Sequence, residues 1–358
     1  MKITGKNILL ISPEPWSHIK VSKHHYATHL ALRGNRVFYL NPPGEQEGIS
    51  ESTFDGVFVV NYRGFIPGLR FLPTFIQRWE MRRVFQKLQS ICGVRFDVVW
   101  SFDNSVFFDL SALPVSLTIS HVMDLNQDFQ TAKTAATAHF CFCPSQPIMD
   151  RLRRYNPRVY KINHGYCETF SNEQTALPAM QGFRATVVYA GNLSIPYIDW
   201  PLLNELVSAH SDVFFRFIGP FDIADVRIDR FSKLRNVEFA GRVETDVLFM
   251  HYRSADILLV AYQEEFQRGQ AANTHKMMEY LASGRVIVAT FTPEYEDQLP
   301  LVVMSEKNRE LPGLFRHVVD KLDYYNSPEL ARRRREVAAD NSYHKQLDRI
   351  EKILKSYE

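Results

Sequence analysis

The feature that most constrains this chain is a rhythm that runs twice. Short apolar runs rich in β-branched and aromatic residues alternate with helical stretches, once before Glu168–Gly182 and again after it. Asn7–Ser12 (NILLIS) reads as a strand that stops at Pro13, Ser22 opens a helix closed by Gly34, and Arg36–Leu40 (RVFYL) reads as the next strand. Strand, helix and strand within about 35 residues make the opening βαβ unit of a parallel sheet. Phe96–Trp100, Val115–Ile119, His139–Cys143 and Val159–Asn163 extend the series. The stretch Glu168–Gly182 has little periodicity and reads as a linker. After it Thr186–Ala190, Val213–Ile218, Asn236–Ala240, Asp256–Ala261 and Val286–Ala289 repeat the pattern. A chain of 358 residues exceeds one ordinary core, so two α/β domains are expected.

Composition narrows the function. A hydrophobic share of 45% and a charged share of 23% belong to a folded globular chain, and a net charge of +2 gives no reason to expect a nucleic-acid partner. Cys92, Cys141, Cys143 and Cys167 form no C-x-x-C pair. In the strand-like FCFC, Cys141 and Cys143 point to one face, which favours packing over metal ligation. The apolar run after Asn7 ends within about five residues, too few for a signal peptide, and no run is long enough to span a bilayer. Dinucleotide, Walker, H-E-x-x-H and G-x-S-x-G motifs are all absent from the sequence.

Several stretches carry candidate chemistry. The loop after the first strand holds Glu14, Trp16, His18 and Lys20 at the strand's carboxyl end, where open α/β sheets bind ligands. Trp16 either faces a ligand there or plugs the loop against the sheet. Asp124 follows Val115–Ile119 in the same kind of place, with His121 three residues before it. It suits a general base, or a cap for the next helix. Arg63–Lys87 holds six basic residues and one acid, Glu80, among five large aromatics. On a helical wheel over Thr74–Ser90, Met81, Val84, Phe85 and Leu88 share the core face. Phe75, Ile76, Arg78, Trp79, Arg82, Arg83 and Lys87 share the other. Such a face fits an anionic membrane interface, or its aromatics pack on the preceding loop. Arg332–Arg335 reads as a solvated helix face. Finally, Asn273 or Thr274 can cap a helix closed by Gly284, which places Lys276 and Glu279 on one face. They suit a phosphate and ribose hydroxyls, or form a surface ion pair.

Five ordered segments carry a family resemblance: VVYAGN (187–192), RFIGP (216–220), NVEFAGRV (236–243), ADILLVAY (255–262) and THKMMEYLASGRVIVAT (274–290). Together they resemble the donor domain of GT-B glycosyltransferases, particularly bacterial enzymes that build surface polysaccharides on lipid carriers. The resemblance implies an α/β GT-B fold, two Rossmann-like domains facing each other across a cleft. Residues 1–168 would form the acceptor and membrane-facing domain and 183–335 the nucleotide-sugar donor domain. A last helix, 336–358, would pack back on the first domain. By the same resemblance Glu279 meets the donor ribose and Lys276 the diphosphate, and Gly191 with Asn192 lets the backbone approach the phosphates. Gly241, Arg242 and Val243 face the base, and Tyr262 and His275 wall the pocket. Asp124 stands at the position of a general base, with His121 the alternative. Trp16, His18 and His164 lie on the acceptor side.

Two departures from the pattern matter. The retaining branch carries a second glutamate eight residues before Glu279, where this chain has Ala271, and the Gly191 loop lacks the usual Arg and Lys. Both favour an inverting route. The implied donor is a nucleotide-diphosphate sugar, UDP by preference, and the implied acceptor a lipid-linked saccharide. The enzyme would work on the anionic, cytoplasmic face of the plasma membrane. No metal or cofactor is implied, since the sequence has no D-x-D triplet. A sugar-nucleotide epimerase of the same fold, or a binding protein without catalysis, are the alternatives.

Overall fold

Runs of Val, Ile, Leu and Phe form the strands of two sheets in the computed structural model, which describes residues 2–125, 129–167, 177–178, 180–269 and 272–357. The chain divides into two units, Met1–His164 with Tyr343–Glu358, and Gly165–Ser342.

In the N-terminal unit the strands are β1 (Asn7–Ile11), β2 (Arg36–Leu40), β3 (Gly48–Glu51), β4 (Val57–Asn61), β5 (Val98–Ser101), β6 (Leu117–His121), β7 (Phe140–Cys143) and β8 (Val159–Lys161). Their order is β3-β4-β2-β1-β5-β6-β7-β8, parallel throughout except for β3 against β4. Alternation along each strand divides the core in two. Leu9, Ile11, Phe38, Val99, Cys141 and Cys143 join one cluster; Ile8, Leu10, Val37, Trp100, Phe140 and Phe142 join the other. Burial pushes the Cys92 and Cys141 thiols up to about 12, so neither supplies a thiolate.

Helix α1 (Ser22–Leu32) follows β1, and α2 (Thr74–Cys92) follows Pro73 and ends at Gly93, whose φ of 63° closes the helix. Met81, Val84, Phe85 and Leu88 are buried along α2, each side chain contributing about 1.5–3 kcal/mol at most. The last helix, Tyr343–Lys355, lies on α1 in this unit. Arg33 pairs with Asp348 at 2.7 Å and Glu351 at 3.3 Å, and Tyr343 stacks on His25 at 4.8 Å.

The C-terminal unit has strands β9 (Ala185–Ala190), β10 (Val213–Ile218), β11 (Val237–Gly241), β12 (Ile257–Val260), β13 (Val286–Thr290) and β14 (Val302–Ser305). All are parallel, in the order β11-β10-β9-β12-β13-β14. Residues 168–176 and 179 of the expected linker lie outside the described residues. The chain returns to the N-terminal unit after Ser342, so helix Pro328–Asp340 stays with the C-terminal unit past the expected limit at 335.

The solvated face expected at Arg332–Arg335 needs correction at its third residue. Arg334 is fully buried and donates to the carbonyls of Leu301 (2.8 Å), Tyr325 (2.8 Å) and Gly284 (3.1 Å). Its helix packs on Lys276–Ser283, and the guanidinium donates to backbone carbonyls on three separate segments.

Candidate functional site

The neighbouring strands β9, β10 and β11 each run out onto a glycine, and the three glycines are joined. Gly191 donates to Ile218 O at 2.9 Å and Gly219 donates to Gly241 O at 2.8 Å. Gly191 and Gly219 have φ of 142° and 139°. A Cβ on Gly219 would stand 1.9 Å from the carbonyl oxygen of Gly191, and one on Gly191 would stand 3.1 Å from Lys276 Nζ. The strand ends can therefore close up only as glycines. Helix Lys276–Ser283 is fixed beside them because the Tyr280 hydroxyl accepts from Ala190 N at 2.9 Å. Its C-terminus turns at Gly284, φ 82°.

This arrangement leaves a cation uncompensated. Lys276 Nζ is closed off from solvent and has no hydrogen-bond partner among the described residues. Its neighbours are the ring faces of Tyr189, at 4.0 Å from the centroid, and Tyr262, at 5.1 Å. Cation–π contact supplies about 2 kcal/mol when desolvated, whereas burying an ammonium costs several. An anion arriving at the Gly191 backbone would make up the difference. Phosphate is the anion that a buried lysine suits, and glycines without side chains leave it room to approach.

Glu279 lies one turn along the helix. Its Oε2 accepts from the Tyr252 hydroxyl at 3.1 Å, and Oε1 is 3.8 Å from His275 Nδ1. Burial pushes this carboxyl up to about 7, against the lowering effects of the Tyr252 hydrogen bond and Lys276. The side chain keeps 21% of its surface exposed, so one edge remains open to a ligand. The ion-pair alternative does not form: Lys276 turns to the glycines and Glu279 to Tyr252. Tyr262 is buried beneath the ammonium, its hydroxyl 3.5 Å from Thr274 Oγ1. Asn192 is exposed and accepts from Ser194 N at 2.9 Å, closing the turn after Gly191. Arg242 is exposed and Val243 half-buried after β11. Ala271 lies outside the described residues.

At the carboxyl edge of the other sheet, Asp124 follows β6 on an exposed segment and accepts no hydrogen bond from any described residue. The next helix among the described residues begins at Thr131. Although the residue itself is exposed, the protein packed around it raises its carboxyl by displacing water, Lys23 opposes the rise and Glu14 adds to it. The neighbouring strand β5 leads to Asp103, 7% exposed, whose Oδ1 accepts from Ser105 N at 2.7 Å and Ser105 Oγ at 2.6 Å. Lys23, on the first turn of α1, is buried and paired with Glu14. Asp103, also raised by burial, feels the same Glu14 and Lys23. Asp124 thus belongs to a group of three carboxylates and one lysine. Asp103 and Lys23 were not singled out in the sequence, although Asp103 follows a strand's carboxyl end just as Asp124 does.

Other expected residues sit differently. His121 is not an accessible base: it is 1% exposed, inside a cage of Tyr26, Trp100, Phe102 and Phe142, and accepts from Trp100 Nε1 at 3.4 Å. Burial pushes its pKa down to about 3. Trp16 plugs the loop, its ring 5.0 Å from Tyr39 and 5.4 Å from His24. His18 is exposed, with Nδ1 3.0 Å from the Ile19 carbonyl. His164 is buried at the end of its unit, its carbonyl accepting from Gln346 at 3.4 Å.

On α2, Phe75 and Trp79 are 72% and 62% exposed, and Phe71 just before the helix is 77% exposed. They do not pack on the preceding loop, whose Phe65 instead meets Phe107 at 4.8 Å. The cations there are engaged. Arg78 donates to Ser111 at 2.7 Å, Arg82 to the Ala112 carbonyl at 2.8 Å, and Arg83 forks onto Glu80 at 2.6 and 2.7 Å.

No family model and no curated protein sequence matches the chain. Solved structures do. A sucrose-phosphate synthase from Thermosynechococcus elongatus has a TM-score of 0.70 at 12% identity, covering 98% of this chain and 99% of that one. HepE of Anabaena in complex with UDP-glucose has a TM-score of 0.69 at 13% identity, covering 98% and 100%. WaaG, a glycosyltransferase involved in lipopolysaccharide biosynthesis, has a TM-score of 0.64 at 12% identity, covering 96% and 98%. A trehalose-6-phosphate synthase studied for glycosyltransfer with retention is also similar. At such identities the likeness is one of fold: the chain has the GT-B architecture of two Rossmann-like α/β domains.

Proposed function

We propose that this protein is a glycosyltransferase that moves a sugar from a UDP-sugar to a hydroxyl of a lipid-linked saccharide, as a peripheral enzyme of surface-polysaccharide synthesis on the cytoplasmic face of the plasma membrane. The observation that carries the reading is the buried, unpartnered ammonium of Lys276 against the Gly191 backbone. A diphosphate supplies the missing counter-charge, and Glu279 one turn away accepts from the ribose hydroxyls. Support for UDP comes from the UDP-glucose held by a similar structure, and for a surface glycolipid from the role of another.

The acceptor binds the N-terminal unit, and its hydroxyl attacks the anomeric carbon. The new C–O bond forms as the bond to the diphosphate oxygen breaks, UDP leaves, and the hydroxyl proton passes to Asp124. A carboxyl raised above its ordinary value is a stronger base, and a positioned base contributes roughly 10²–10⁴-fold. Lys276 takes up the charge developing on the leaving group. Displacement in one step inverts the anomeric configuration.

The test uses a thermal-shift panel of UDP-sugars, followed by turnover with a lipid-linked acceptor. UDP-sugars should stabilise the wild type, by about 2.7 kcal/mol at 100 times the Kd, and Lys276→Met should remove the effect. Asp124→Asn should keep donor binding and lose 10²-fold or more in kcat. Full turnover by Asp124→Asn, or a product that retains the donor's configuration, removes the inverting mechanism. A wild type indifferent to every nucleotide sugar removes the reading altogether.

A further inference from the structure

In the N-terminal unit, a cavity of about 170 Å³ lies between α2 and the segments flanking β3 and following β4, lined by Glu47, Tyr62, Arg63, Arg83, Lys87 and Leu88 among others. That is more than ten times the space a single water requires, roughly 10–15 Å³. Three of its walls are cationic and one is a carboxylate. Lys87 Nζ donates to both oxygens of Glu47, at 2.6 and 2.7 Å. Arg63 and Arg83 also act on Glu47, whose carboxyl is held below its ordinary range by the Lys87 hydrogen bond first. Behind the wall, Arg83 is tied to the buried Glu80, and Arg63 donates to the Glu45 carbonyl at 3.3 Å. Three cations against Glu47 and Glu80 leave the cavity net positive.

Placement along α2 adds a second observation. Phe75, Trp79, Arg83 and Lys87 recur every four residues, so they form one stripe with about 6 Å between steps. The aromatic half is exposed; the cationic half turns into the cavity. We propose that the cavity binds the phosphate of an anionic phospholipid headgroup, with Arg63, Arg83 and Lys87 as donors, and that Glu47 occupies the anion's place until the headgroup displaces it. Guanidinium and ammonium groups are the donors that phosphate oxygens favour. Glu47 lies on a surface loop, where a side chain can swing aside. The proposal rests on the membrane reading of α2, and the test separates the two.

The experiment measures binding of monomeric dihexanoyl phosphatidylglycerol and of inorganic phosphate by calorimetry, and of phosphatidylglycerol/phosphatidylcholine vesicles by sedimentation. Arg63→Gln with Lys87→Gln should weaken the monomeric lipid at least tenfold, and Glu47→Gln should tighten it severalfold by removing the competing anion. Arg83 is left in place, since its loss would strand the buried Glu80. Phe75→Ser with Trp79→Ser should bind the monomeric lipid as the wild type does while losing the vesicles. Unchanged affinity in the Arg63/Lys87 variant, or no gain in Glu47→Gln, overturns the cavity. Equal affinity for inorganic phosphate and the lipid overturns the lipid assignment and keeps a phosphate site. A wild type that binds the monomeric lipid and ignores vesicles overturns the membrane reading alone.

Discussion

Glu279 sets the pH behaviour of the donor site. Its carboxyl titrates near 7 in the folded protein against an ordinary value of 4.5, so the folded state holds the proton more tightly than the unfolded chain. The stability that comes with this is complete below the unfolded value and is lost as pH rises through about 7. Donor binding has the opposite slope, because only the carboxylate accepts from two ribose hydroxyls. In the wild type the Kd for a UDP-sugar should rise about tenfold per unit as pH falls below 7, the slope of one proton. In Glu279→Gln it should be weaker at neutral pH and flat across the same range. Calorimetry at several pH values gives both curves. A wild-type Kd independent of pH between about 5.5 and 7.5 would take Glu279 out of the ribose contact.

The helix Lys276–Ser283 owes its position to two anchors: Tyr280 on the end of β9 and the neighbouring helix Pro328–Asp340. Arg334 is the centre of the second anchor, since it donates to backbone carbonyls on three segments. Arg334→Met fills similar space and leaves those acceptors unpaired. Each unpaired buried group costs roughly 1–3 kcal/mol, so a loss of about 3 kcal/mol or more is expected in chemical denaturation. Because Gly284 O is one of the three, the UDP-sugar Kd should weaken too, although Arg334 touches no ligand. A stability loss with unchanged donor affinity would show that Tyr280 alone holds the helix. This element also shows what a sequence can tell. Its capping glycine and the three-residue spacing of Lys276 and Glu279 are local, and both were legible. Arg334 was not, because its partners lie 33, 50 and 9 residues away and a run of arginines resembles a solvated face. The His121 expectation failed for a local reason. β6 runs on to His121 in register with Leu117 and Ile119, so the period of two sends its ring into the core. Asp103 and Lys23 come together with Asp124 only when three strands and α1 are assembled, and no spacing in the chain announces that group.

For the molecule as a whole, a net charge of +2 is too small to draw it to an anionic surface over distance, and among the described residues no helix is long and apolar enough to cross a membrane. Membrane contact must therefore come from one face, and the structure shifts its weight from cations to aromatics. Arg78, Arg82 and Arg83 are bound to Ser111, Ala112 and Glu80, whereas Phe75 and Trp79 are largely exposed. If Phe75 and Trp79 each withdraw on the order of 100 Å² from water, the pair contributes about 5 kcal/mol at ~25 cal/mol per Å². Phe75→Ser with Trp79→Ser should then reduce the vesicle partition coefficient more than a hundredfold. Raising the salt from 50 to 500 mM should reduce it far less, since most of the cations are already paired and exposed charge is what salt screens. Turnover on a short-chain, water-soluble acceptor should survive the double substitution, as neither ring belongs to the donor site or to the carboxylate group at Asp124. A double variant that still sediments with vesicles would exclude this face as the one that meets the membrane.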